Sequence, residues 1–132
     1  MTTSNRKVRV SLYWLSTAVL ALLYAGGAVY YLTDADSARK AFTAVGYPGY
    51  LVPILGVAKL LGVLAVLSRV SVALSDLAYA GMFFHLLLAV SAHLNFGGSY
   101  APAAVGLVAL AVSFWTQNAA RAKLSPYPTV AA

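Results

Sequence analysis

The sequence contains no cysteine. That excludes disulfides, thiol redox chemistry, Cys-ligated zinc and iron–sulfur clusters within the chain. Charge is also scarce. Only 9% of the 132 residues are charged, against about 25% in a typical soluble domain. Three of the charged residues are acidic and nine are basic. Hydrophobic residues make up 61%, more than a small soluble core can hide. The length suits one domain, residues 1–132, of the membrane class.

The net charge of +6 invites a nucleic-acid reading, but the placement of the basic residues argues against it. Arg6, Lys7 and Arg9 precede the first apolar run, and Arg121 and Lys123 follow the last. In a membrane protein these are orientation signals and contacts to anionic lipid. The partner expected here is a lipid bilayer, with no nucleic acid.

Four spans are predicted, at about 10–32, 50–68, 76–94 and 101–119, each near the roughly 20 apolar residues a bilayer requires. A signal peptide is the rival reading of the first. However, its apolar run exceeds an ordinary signal core of about 7–15 residues, which favours an uncleaved span. Pro53 fits the first turn of the second span. Ser75 is the candidate N-cap of the third, with Asp76 in its first turn and Arg69 as a candidate ion-pair partner. NFGGSYAP at 95–102 breaks a long uncharged block with Gly-Gly and Pro. The fold class is therefore all-α, a polytopic antiparallel four-transmembrane-helix bundle.

Between the first two spans, DADSARKAFTAVGYPG reads as a short interfacial helix with Ala38, Phe42 and Val45 on one face. Four spans place both termini on one side, and positive-inside places that side in the cytoplasm, consistent with the cytoplasmic membrane. Tyr13, Trp14 and Trp115 then fall at the inner boundary. Tyr30, Tyr31, Tyr47, Tyr50 and Tyr100 fall at the outer one, as an aromatic belt.

The chemistry-bearing residues lie inside. Lys59 is the tenth residue of the second span, about 15 Å from either interface of a core about 30 Å thick. A charge there costs about 2.5–3.5 kcal/mol on insertion scales. It must face the bundle, find partners or water, or lose its proton. A satisfied structural lysine and a ligand- or substrate-binding lysine both fit that depth. Gly56 and Gly62 lie within a turn of it and allow close helix approach.

His85 shares the midplane, in a Gly81, His85, Ala89, His93 stripe at i, i+4 spacing suited to close helix contact. His93 lies near the outer end. Eight helical residues separate the two rings by about 12 Å, so they cannot hold one metal or haem, and no metal is expected. Tyr24, at mid-depth with Thr17 one heptad earlier, could offer a hydroxyl to Lys59 or His85, or be a packed core tyrosine. Ser113 and Gln117 read as interhelical hydrogen-bonding residues.

Three stretches resemble the DoxX-like family of small four-helix membrane proteins. They are LYWLSTAVLALLYAGGAVYYLT at 12–33, GYPGYLVPILGVAKLLGVLAVL at 46–67 and LSDLAYAGMFFHLLLAVSAHLNFG at 74–97. The resemblance covers about residues 10–118 and is carried by GYP, AKLLG, AYAG and AH in that order. It matches Lys59 to the family's lysine, His93 to its terminal histidine and Asp76 to its acidic residue, with aspartate where glutamate is commoner. Leu77 stands where tryptophan is frequent, and His85 has no counterpart in the pattern.

The resemblance implies a link to thiosulfate oxidation, quinone reduction or oxidative-stress assemblies. Three functions follow as expectations. The bundle binds a lipophilic small molecule, such as a quinone, through Lys59, His93, His85 and Tyr24, beside a membrane redox partner. Alternatively it is an enzyme using Lys59 as base with His85 or Tyr24 as acid. The third is a scaffold that forms homo-oligomers through Gly/Ala faces.

Overall fold

The computed structural model describes residues 2–128. Among them the chain forms five helices and no strand: α1 (Thr3–Thr33), α2 (Ala35–Ala44), α3 (Leu51–Ser68), α4 (Val72–Phe96) and α5 (Ala101–Ala120). α1, α3, α4 and α5 are long and apolar enough to cross a bilayer. Their outward faces carry large apolar side chains such as Leu22, Leu61, Leu77 and Val108, as lipid contact requires. The result is a multi-pass four-helix bundle with α2 beside it.

The long helices form a ring. α1 packs against α5 and α3, and α4 packs against the same two, so α1 and α4 face each other across the diagonal. The start of α1 and the end of α5 lie at one end, the terminal end, where Arg9 donates to the Trp115 carbonyl at 3.3 Å. The other end carries α2.

Several boundaries differ from the sequence reading. α1 extends to Thr3, because Thr2 caps it by accepting from the Asn5 N–H at 3.2 Å and the RKVR stretch continues the helix. α4 starts at Val72 rather than near Asp76. Its cap is Ser71, which accepts from the Leu74 N–H, and Ser75 lies one turn inside, fully buried. α3 ends on Arg69 in the left-handed conformation (φ 52°), leaving a three-residue connection before α4. Arg69 does not pair with Asp76. Its guanidinium donates to the Gln117 side chain and, through Nε and Nη2, to the Lys123 carbonyl at 3.0 and 2.6 Å. Asp76 instead accepts from the Ser125 hydroxyl at 2.8 Å. The segment after α5 is thereby folded under the α3–α4 turn.

Successive levels stack along the bundle axis. Near the terminal end, Ser113 joins Thr17 and Tyr79 through contacts of 2.6 Å each, tying α5 to α1 and α4. One turn further, Leu20, Met82 and Leu110 form a buried apolar waist, with Gly62 of α3 against Met82. Beyond the waist lie Tyr24, Lys59 and His85. Interhelical hydrogen bonds of this kind contribute about 0.6 kcal/mol each in membranes, so the polar and apolar levels hold the ring together jointly.

Candidate functional site

Lys59 projects from the middle of α3 toward α1. Its Nζ lies 4.5 Å from the centroid of the Tyr24 ring and 5.0 Å from that of Tyr31. Tyr24 and Tyr31 are seven residues apart and so share one face of α1. Gly27 lies between them. A Cβ there would stand 3.3 Å from Nζ, so the missing side chain opens the notch that admits the ammonium. Two ring faces offer a desolvated cation the electrostatic attraction of their quadrupoles. Among the described residues Lys59 makes no hydrogen bond or ion pair, and its N–H donors remain uncommitted.

The Tyr24 ring meets Lys59 while its hydroxyl meets α4. The hydroxyl oxygen is 2.9 Å from His85 Nδ1 and 3.2 Å from the Met82 carbonyl oxygen. Tyr24 therefore links Lys59 to His85 across the bundle diagonal. When the phenol donates to Met82, His85 Nδ1–H donates to the phenol and neutral Nε2 accepts. When the phenol donates to Nδ1, Nε2 carries the proton. One set of heavy-atom positions thus serves both tautomers.

His85 also faces a cavity of about 430 Å³ between α1, α2, α3 and α4. That volume lies within the roughly 300–1,000 Å³ of small-molecule sites. His93 lines the same cavity, with Ala89 and Ala92 between the two histidines and Tyr31, Leu51 and Leu55 opposite. The stripe read as a close helix contact is, over residues 85–93, a cavity wall. Its small members leave the space open, and Gly81 faces outward. α2 closes the cavity with Ala38, Ala41 and Phe42; the Phe42 ring packs edge-on against Tyr31 at 5.4 Å. Lys59 is one layer removed from this space, behind the Tyr31 ring.

The turn after α4 holds the His93 ring at the edge of the cavity lining. Gly97 and Gly98 have φ of 93° and 92°, a region that favours glycine. This conformation brings the Gly97 carbonyl 3.2 Å from His93 Nδ1. A carbonyl only accepts, so Nδ1 carries a proton and neutral His93 keeps Nε2 as an acceptor.

The structure therefore brings Tyr24, Lys59 and His85 into one connected group and places His85 and His93 on one cavity. Tyr31 escaped the sequence reading, which assigned it to an aromatic belt. The signal was its seven-residue spacing from Tyr24 with Gly27 between. Tyr13 was assigned to the opposite belt, yet it is fully buried and faces inward, whereas Trp14, Trp115, Tyr30, Tyr50 and Tyr100 are exposed. Gly56 and Gly62 do not serve one contact. Gly56 seats Tyr31 and Leu32 of α1, and Gly62 seats Met82 of α4. No group of three or more His, Cys, Asp or Glu side chains able to hold a metal occurs among the described residues.

The sequence profile of the DoxX-like family matches residues 15–116, a range that contains Tyr24, Lys59, His85 and His93. No curated protein and no solved structure shows significant similarity to the chain. With most of its length matched, four membrane-spanning helices in place and the motif residues inside the matched range, the chain belongs to the DoxX-like family.

Proposed function

We propose that the bundle binds a lipophilic small molecule in the cavity beneath α2 and serves membrane redox chemistry as an accessory subunit, with a quinone as the fitting ligand class. The observation that carries this reading is the pair His85 and His93 on one largely apolar cavity. About 12 Å of helix separates the two residues, which suits a flat molecule with a hydrogen-bonding group at each end. Lys59 acts from behind Tyr31 and Tyr24. Its charge stabilises electron density that accumulates on the ligand, and the Tyr24 hydroxyl sets which proton His85 offers. In this reading the termini are cytoplasmic, as the basic residues at that end favour.

The convergence of Lys59, Tyr24 and His85 favours a second reading, acid–base catalysis on a lipophilic substrate. Turnover of an identified substrate by a Lys59→Met chain would exclude the lysine as its base.

The binding reading is tested by mass spectrometry of lipophiles extracted from the purified chain. Parent protein should retain a defined lipophile. His93→Leu, which removes one hydrogen-bonding group, and Lys59→Met, which removes the nearby charge, should each retain about tenfold less, the equivalent of about 1.4 kcal/mol. Identical extracts from all three chains would refute it.

A further inference from the structure

Three helices repeat one pattern near the terminal end. α1 presents Tyr13 and Thr17, α4 presents Ser75 and Tyr79, and α5 presents Ser113 and Gln117. Each pair is spaced i, i+4, so each stacks two polar side chains on one inward face. All six are buried. The level nearer the waist is closed on itself, because Ser113 bonds both Thr17 and Tyr79.

The level nearer the terminal end is not. Arg69, only 4% exposed, bonds Gln117, but the Tyr13 hydroxyl and Ser75 Oγ have no hydrogen-bond partner within the protein, although both residues are 0% exposed. Oδ1 of Asp76, next along α4, is buried without a partner as well. The two levels are consecutive, because each helix contributes one residue to either level at i, i+4 spacing.

A buried polar atom is costly unless something satisfies it. The unpartnered atoms differ in kind. Hydroxyls donate and accept, whereas a carboxylate oxygen only accepts. Arg69 also has two of its five N–H groups uncommitted after Gln117 and the Lys123 carbonyl. A small anion would suit Arg69 and the hydroxyls but would be repelled by Asp76. A species that both donates and accepts suits all of them.

We propose that this level is a hydration site: water bound by Tyr13, Ser75 and Asp76 completes the Arg69–Gln117 network and makes the terminal third of the bundle a wet vestibule that stops at the Leu20–Met82–Leu110 waist. The site is independent of the ligand cavity beyond the waist.

Two measurements on the full chain in nanodiscs test it. Hydroxyl-radical footprinting, generated from bound water, should oxidise Tyr13 despite its complete burial and spare Leu20 two turns further on. Tyr13→Phe removes one oxygen and keeps the ring. If water holds that hydroxyl, the substitution lowers the folding equilibrium constant about five-fold, the loss of one net hydrogen bond. If the hydroxyl is truly orphaned, its removal relieves a penalty and raises the constant. An unlabelled Tyr13, or a Tyr13→Phe chain at least as stable as the parent, overturns the proposal.

Discussion

Tyr24→Phe separates the two roles of one side chain. The ring stays, and with it the face that Lys59 approaches at 4.5 Å. The hydroxyl goes, and with it the 2.9 Å contact to His85 Nδ1 and the 3.2 Å contact to the Met82 carbonyl. Hydrogen bonds between membrane helices average about 0.6 kcal/mol and reach about 1.7. Two contacts sharing one hydroxyl are therefore expected to contribute about 1 kcal/mol, or about a five-fold change in the unfolding equilibrium. The loss should be concentrated on the α1–α4 diagonal, because α1 and α4 are otherwise joined through α3 and α5.

Reversible unfolding in mixed micelles measures the stability change. Nitrogen NMR of labelled histidine measures its location. His85 Nδ1 should shift while His93, held by the Gly97 carbonyl, should not. Unchanged stability together with an unchanged His85 Nδ1 signal would refute the idea that Tyr24 braces the diagonal and sets the tautomer.

Two further substitutions probe the supports around the site. Gly56→Ala places a Cβ 3.0 and 3.1 Å from Leu32 carbons and 3.3 Å from Tyr31 Cβ. Overpacking of this kind costs about 1–3 kcal/mol, and the same titration should show a loss in that range, since Tyr31 Cβ is fixed to the α1 backbone. Arg69→Ala removes the donors to Gln117 and to the Lys123 carbonyl, an expected loss of about 2 kcal/mol. Limited proteolysis should then cut the segment at 121–128, which the parent protects.

The spans were legible because charge is confined to a few positions: runs such as 10–33 are uncharged over more than the length a bilayer-spanning helix needs. The ends were less legible. Ser71 and Ser75 are equally good caps by residue type, and only the left-handed turn at Arg69 decides between them. Arg69 and Asp76 look like an ion pair from their spacing. Tertiary contacts with Gln117 and Ser125, distant in sequence, take each of them elsewhere. The interior residues Lys59, Tyr24 and His85 could be named from depth alone. Their geometry could not, because periodicity gives the face of a helix and not the neighbour it meets. Tyr31 shows the limit: an aromatic near a helix end reads as interfacial until a helix such as α2 covers it.

If water in the terminal third stops at the apolar waist of Leu20, Met82 and Leu110, the bundle's interior holds two compartments that do not share it. Such a layer is an electrical insulator only about two helical turns thick, measured from Thr17 to Tyr24 at 1.5 Å per residue. Any proton exchanged at His85 must then come and go on the α2 side. If electrons reach a bound ligand from the terminal side, each reduction moves charge across the membrane's voltage, a cost or gain of about 2.3 kcal/mol per charge per 100 mV. Three apolar side chains would thus decide whether the chemistry of this small bundle is electrogenic.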